Sequence, residues 1–274
     1  MRLPKWVLRR FYRAIVEFKL LEPDDRVLVG LSGGKDSSFL LASLKLLQEH
    51  MPFSFTVAAL HIDQGFPDAV DLSPLKKFCT ELDVPLTILS TSIYQMAFTD
   101  TGEKPCARCA YFRRGFIHNF AREHKYNKVA FAHHLDDAVE TFLMSQLYAG
   151  QLKTFQPKSY LSRTGVTIIR PLIYFREKEI KQAQKFLSYE PINTPCPYAE
   201  HSMRAEVKAL IQGLERKNDR IFDNLVAAMR GGSEQNFWPA PLSKEEFKVL
   251  MSDFWHEKRR IGGKEHDIQG TCSS

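Results

Sequence analysis

The chain lacks most of the marks of secreted, membrane-spanning and fibrous proteins. Its 274 residues hold five cysteines, an odd number, which argues against a disulfide framework and for a reducing, cytoplasmic compartment. No apolar run reaches the roughly 18 residues that a membrane-spanning helix needs, so no membrane partner is expected. The basic start, Met1 to Leu20, is interrupted by Arg9, Arg10 and Arg13 where a secretory signal would carry its apolar stretch. There is no internal repeat and no low-complexity tract. A zinc ribbon is excluded as well, because it needs a second Cys-x-x-Cys and the chain has one.

What is present describes a globular protein: 44% hydrophobic residues, 26% charged residues and a net charge of +6. The positive charge is concentrated in two stretches. Residues 1–20 carry Arg2, Lys5, Arg9, Arg10, Arg13 and Lys19 against Glu17. Residues 101–130 carry Lys104, Arg108, Arg113, Arg114, Arg122, Lys125 and Lys128 against Glu103 and Glu123. Such clusters suit a nucleic-acid backbone, and by charge counting alone they suit a solvated face equally well.

Hydrophobic patterning divides the chain into three parts. Trp6, Phe11, Ile15 and Phe18 recur at helical spacing, which predicts an amphipathic helix within residues 1–24. Residues 25–180 alternate strand-like and helix-like segments. Strands are expected at 26–31, 55–62, 85–90, 128–132 and 166–170, and helices near 36–49, 72–82, 107–124 and 136–148. The strands are nearly continuous Val/Ile/Leu runs, so the expected fold is α/β, a Rossmann-like open parallel sheet with helices on both faces. Residues 181–274 predict a small helical extension, with helices near 176–188, 202–216 and 218–230, a further one at 242–255, and a disordered tail.

The first strand runs into Ser32-Gly33-Gly34-Lys35-Asp36-Ser37 and then directly into a helix. Glycines let backbone N–H groups converge on an anion, and the helix N-terminus adds partial positive charge. Ser32 and Ser37 supply hydroxyls and Lys35 a cation, so the expected ligand is a phosphate or pyrophosphate. A Walker A loop would need a glycine where Lys35 stands, and G-x-G-x-x-G does not occur. Later, Asp136 and Asp137 open a helix. Both suit N-capping.

A second constellation is Cys106-x-x-Cys109 at a helix start, followed by Arg113 and Arg114. The pair can present two thiolates to one metal, with nearby arginines favouring the thiolate form. Cys196, between Pro195 and Pro197, is placed by sequence to be a third ligand, whereas Cys79 falls within an amphipathic pattern and Cys272 in the tail. Three thiolates suit zinc completed by a histidine such as His201, or a [4Fe–4S] cluster with one open iron.

The loop SGGKDS resembles the signature of the PP-loop ATP pyrophosphatases, which cleave ATP between its α and β phosphates and adenylate a substrate. AHHLDDAVETFLM (132–144) and IIRPLIYFREKEI (168–180) resemble that family's second and third signatures. The central Cys-x-x-Cys, the basic pair with its glycine and the later cysteine are similar to the tRNA 2-thiolation group, and most of all to its 2-thiocytidine-synthesising members. The resemblance implies an adenine nucleotide alpha hydrolase fold and ATP with Mg²⁺ on Ser32–Ser37. It further implies a [4Fe–4S] cluster on Cys106, Cys109 and Cys196, Asp137 as a catalytic residue, and tRNA held in part by Arg113 and Arg114. On that reading the chain adenylates a pyrimidine C2 carbonyl and exchanges its oxygen for sulfur. The sulfur donor, a cysteine desulfurase or sulfide, stays open, as does a homodimer. The rival readings are a lysidine-type tRNA ligase of the same fold and a zinc- or cluster-bearing nucleic-acid-binding module without catalysis.

Overall fold

The computed structural model describes residues 3–68, 70–98, 105–192 and 203–230, and 243–252 in part. Met1–Arg230 and Gly231–Ser274 are two compact units. In the second, Ser243 and Glu246 exchange backbone-to-side-chain hydrogen bonds, a capping box. The described residues of the helix expected at 242–255 that follow Ser243 are helical, and the expected disordered tail lies outside the described residues.

The first unit begins with α1 (Lys5–Phe18), β1 (Asp25–Gly30), α2 (Lys35–Gln48), β2 (Phe55–Asp63), α3 (Ser73–Glu81) and β3 (Leu86–Ser90). It continues with α4 (Ile93–Phe98), α5 (Pro105–Glu123), β4 (Lys128–Ala130) and α6 (Leu135–Ala149). Then come β5 (Lys158–Leu161), β6 (Val166–Ile169), α7 (Glu177–Ala183), α8 (Met203–Glu215) and α9 (Ile221–Arg230). Among the described residues no helix is long and apolar enough to cross a membrane.

The strands form one sheet in the order β3-β2-β1-β4-β6-β5. All neighbouring pairs are parallel except β5 with β6. Alternation along each strand feeds two cores on opposite faces. Val27, Val29, Val57 and Ala59 pack with α1, α2 and α7 on one face. Leu28, Ala58, Leu60 and Ile62 pack with Ile117 and Ala121 of α5 on the other. A third cluster joins Val139 of α6 to Val207, Ile211 and Phe222, so α8 and α9 dock on α6.

Three details differ from the sequence expectation. The sheet has a sixth strand, β5, antiparallel at the edge; Lys-Ser-Tyr-Leu is short, and its Tyr160 is 67% exposed, so no apolar run marks it. The buried face of α1 is Val7, Phe11, Ala14 and Ile15, one position round from the expected stripe, which leaves Trp6 37% exposed. Two of the counted cations hold the fold together. Arg10 bonds Glu179 and the Tyr174 carbonyl, docking α1 on α7, and Lys128 is buried on Asp25 at 2.6 Å and the Leu20 carbonyl.

The sheet order places a topological switch at β1. The chain steps outward through β2 and β3 and then returns to the other side as β4. In open α/β sheets the crevice beyond the carboxyl ends of such strands is where ligands bind. The glycine loop that follows Gly30 lies there.

Candidate active site

The loop between β1 and α2 is held from two sides. Ser32 Oγ and Ser37 Oγ are hydrogen-bonded at 3.0 Å, and the Gly34 N–H donates to Ser32 Oγ at 3.3 Å. Ser38 Oγ donates to the Gly34 carbonyl at 3.1 Å. From above, Tyr189 Oη and the Ile192 N–H both donate to the Gly33 carbonyl, at 2.8 and 3.0 Å. Gly33 has φ +86°, and a Cβ there would lie 2.4 Å from Ile192 Cγ1. Gly34 is the N-cap of α2 and brings no side chain, so the first N–H groups of that 14-residue helix have no side-chain cap. This is the local chemistry of an anion site.

A cavity of about 520 Å³ opens over the loop. Ser32, Asp36 and Ser37 form its floor, Leu60, His61 and Gln64 at the end of β2 one wall, and Ala110, Arg113, Arg114 and Ile117 of α5 another. His133, Asp137 and Arg204 complete it. Asp36 Oδ2 accepts from Lys35 Nζ at 2.9 Å, while Oδ1 is buried without a partner. Lys35 does not line the cavity. Its ammonium is turned to Glu177 at 3.1 Å. Burial pulls the Lys35 pKa down, but Asp36 and Glu177 outweigh it and hold it above its ordinary value. Burial likewise opposes the Glu177 carboxylate, yet Lys208 and Lys35 bring its pKa down to about 2.

Asp137 is fixed twice. Its Oδ2 accepts from the His134 N–H at 2.9 Å in a capping box that starts α6, and its Oδ1 accepts from Arg204 at 3.1 Å. Arg204 also reaches Glu140 Oε2 and Thr141 Oγ1, so it clamps α8 to the first turns of α6. Asp136 faces elsewhere, bonding Arg176 and the Glu177 N–H at the start of α7. His133 stands beside Asp137 with Nδ1 buried and unpartnered. Burial, reinforced by Arg170, Arg204 and Arg113 and opposed by Asp137, lowers its pKa to about 4, so the ring is neutral at pH 7.

Cys106 and Cys109 open α5. Cys106 is exposed, and by helical spacing it shares a face with Ala110 and Arg113, two residues of the cavity wall. Cys109 is half-buried and its Sγ donates to Gln64 Oε1 at 3.1 Å, another cavity residue. Cys79 is in the core, its thiol pushed up to about 11 by burial. Cys196, His201 and Cys272 lie outside the described residues. Among the described residues no group of three or more His, Cys, Asp or Glu side chains forms a metal site.

Of the residues singled out by sequence, Ser32, Asp36, Ser37, Arg113, Arg114 and Asp137 therefore share one cavity. Gly33 and Gly34 shape the loop, Lys35 is turned aside, and the two cysteines stand one turn before the cavity wall. Gln64 and Arg204 carry no mark in the sequence. His61 reaches the loop only because β2 lies beside β1, which sets its Nδ1 2.9 Å from the Leu31 carbonyl oxygen.

Residues 7–208 match the family described as PP-loop domain. The chain is 33% identical over 248 residues to a tRNA-cytidine(32) 2-sulfurtransferase of Hahella chejuensis, covering 88% of this chain and 84% of that protein. It is 32% identical to the tRNA-cytidine(32) 2-sulfurtransferase of Marinobacter nauticus, covering 98% and 86%. Among solved structures, the U34-tRNA thiolase NcsA from Methanococcus maripaludis with its [4Fe-4S] cluster superposes with a TM-score of 0.67. That match covers 82% of this chain and 76% of the other at 24% identity, a likeness of fold.

Proposed function

The chain belongs to the PP-loop domain family, and from that premise we propose that it is an ATP-dependent tRNA sulfurtransferase. Its substrate would be a cytidine of the anticodon loop, whose C2 oxygen it exchanges for sulfur. The observation that carries this reading is the shared cavity. A glycine loop at a helix N-terminus, an unpartnered Asp36 oxygen, Arg113 and Arg114 without carboxylate partners among the described residues, and the Cys-x-x-Cys helix all border one space.

The chemistry divides among these residues. The α2 N-terminus and the hydroxyls of Ser32 and Ser37 would bind the phosphates of ATP. The pyrimidine O2 attacks the α-phosphorus and pyrophosphate leaves, turning a poor leaving oxygen into AMP. A sulfur nucleophile then attacks C2 and AMP departs. Arg113, which makes no ion pair among the described residues, would meet the charge that develops on the phosphates. Mg²⁺ takes few protein ligands and completes its shell with phosphate and water. Asp36 Oδ1 suits it, because a buried carboxylate oxygen without a partner otherwise carries a desolvation cost. Asp137, with both oxygens already engaged, would act through the position of Arg204 and through its remaining lone pairs.

Cys106 and Cys109 carry thiols of the type an iron–sulfur cluster needs. Cys196 would be the third ligand. It lies in sequence between Ile192, bonded to Gly33 of the loop, and Arg204, which lines the cavity and is bonded to Asp137. A cluster held by three cysteines would supply an open iron to carry sulfur.

The test is direct. Anaerobically purified protein, unmodified tRNA, ATP, Mg²⁺ and sulfide should yield 2-thiocytidine by nucleoside mass spectrometry, with pyrophosphate released in step. Iron should be lost in Cys106→Ala, Cys109→Ala and Cys196→Ala and kept in Cys79→Ala. Pyrophosphate release driven by lysine, with no sulfur incorporated, would replace this reading with the ligase.

A further inference from the structure

α5 carries a second cavity on its far side, of about 430 Å³. Tyr111, Phe112, Phe116 and His118 line it along the helix, and Arg163 comes to it from the turn between β5 and β6. Arg114 lines both cavities and stands between them. Adenylation and sulfur transfer, as assigned to the main cavity, make no use of this second space.

Its chemistry is specific. Tyr111 is 69% exposed and meets Phe112 edge-on at 5.6 Å, so an aromatic ring faces outward on a helix. The hydrophobic effect alone would bury that ring, and among the described residues no other ring covers it. His118 lines the cavity by its ring, while its Nε2 is buried with no hydrogen-bond partner. Arg163 and Arg114 have no carboxylate partner among the described residues, and neither has nearby Arg170, whose Nε is buried unpartnered. The cavity thus offers aromatic faces, an imidazole ring in its wall and uncompensated positive charge.

We propose that this cavity holds an unstacked nucleotide of the RNA loop, next in the strand to the one that enters the main cavity, with the connecting phosphate at Arg114. Single-stranded RNA is recognised by stacking its splayed bases on aromatic rings, reading their edges with polar atoms and holding the backbone with arginine. Acidic protein side chains could meet the arginines, but they would leave the exposed Tyr111 ring without a partner to stack on it. The proposal rests on the tRNA reading in taking RNA as the substrate.

The experiment measures binding of the full chain to a labelled, unmodified anticodon stem–loop across a salt series. Tyr111→Ala should weaken binding roughly 5- to 150-fold, the equivalent of about 1–3 kcal/mol for one stacked base. Its salt dependence should not change, and Tyr111→Phe should restore affinity. Arg163→Ala should lower the log–log salt slope by roughly 0.7. An abasic nucleotide beside the target cytidine should cause the same loss as Tyr111→Ala, with no further loss when both are combined. Because Tyr111 is exposed and outside the main cavity, ATP binding should be that of the wild type. If the wild type binds the stem–loop while Tyr111→Ala and the abasic RNA bind equally well, the second cavity is not an RNA subsite, whether or not a protein uses it, and the thiolation reading stands. If the wild type binds no stem–loop, both fall.

Discussion

Gly33→Ala probes the loop most sharply, because two independent penalties meet at one atom. The backbone at Gly33 has φ +86°, where an L-residue with a Cβ costs about 1–2 kcal/mol. The added Cβ would also sit 2.4 Å from Ile192 Cγ1 and 2.6 Å from Cδ1. Forcing a methyl into a filled site costs about 1–3 kcal/mol. Ile192 can swing away, but then its N–H leaves the Gly33 carbonyl, a bond worth about 0.5–1.5 kcal/mol. The first route costs about 2–5 kcal/mol and the second about 1.5–3.5, against a typical total of about 5–15. The variant should therefore fold, with a clearly lower urea midpoint by circular dichroism and an unchanged slope. Pyrophosphate release should fall by more than about tenfold, since the loop N–H groups lose their common aim. Adding Ile192→Ala removes the collision and leaves the φ strain, so the double variant should recover part of the loss seen in Gly33→Ala relative to Ile192→Ala alone. A wild-type midpoint in Gly33→Ala, or a double variant whose losses simply add, would refute this account of the loop.

Other outcomes follow from the same geometry. Asp36→Asn keeps the shape of the loop and removes its charge, so a folded variant should lose on the order of 100-fold in pyrophosphate release; full activity would take Asp36 out of the chemistry. His133 has its pKa lowered to about 4 in the fold, so the unfolded chain binds its proton more readily. Stability from this group is complete above pH about 6.5 and is lost as pH falls towards 4, by up to about 3 kcal/mol. His133→Gln should flatten that part of the pH–stability curve, and an identical curve would show that the ring is not held neutral. Charge reversal at Arg113 and Arg114 should weaken tRNA binding and reduce the log–log salt slope by roughly 0.7–0.9 for each phosphate no longer neutralised; an unchanged slope would confine both arginines to the nucleotide.

The contiguous parts of this molecule are open to sequence reasoning, and the assembled parts are not. Val27-Leu28-Val29 is apolar on both faces and runs straight into Ser32–Ser37, so strand, loop and helix are written in one stretch. β5 carries no such run, because an edge strand needs only one neighbour and can leave Tyr160 in solvent. Charge counting fails for a related reason. Arg10, Arg13 and Lys128 count among the cations, yet Arg10 is bound to Glu179, Arg13 lies over the Tyr174 ring at 4.4 Å and Lys128 is 3% exposed on Asp25. Arg204 belongs to neither basic stretch and stands in the main cavity, because α8 folds back onto α6 and brings it to Asp137 and Glu140. Which cations remain free is therefore decided by packing between distant segments. Arg113, Arg114 and Arg163 are left without carboxylates among the described residues; Arg113 borders the main cavity, Arg163 the second and Arg114 both. Arg113 and Arg114 lie on α5, and Arg163 is brought to the same helix from the turn between β5 and β6.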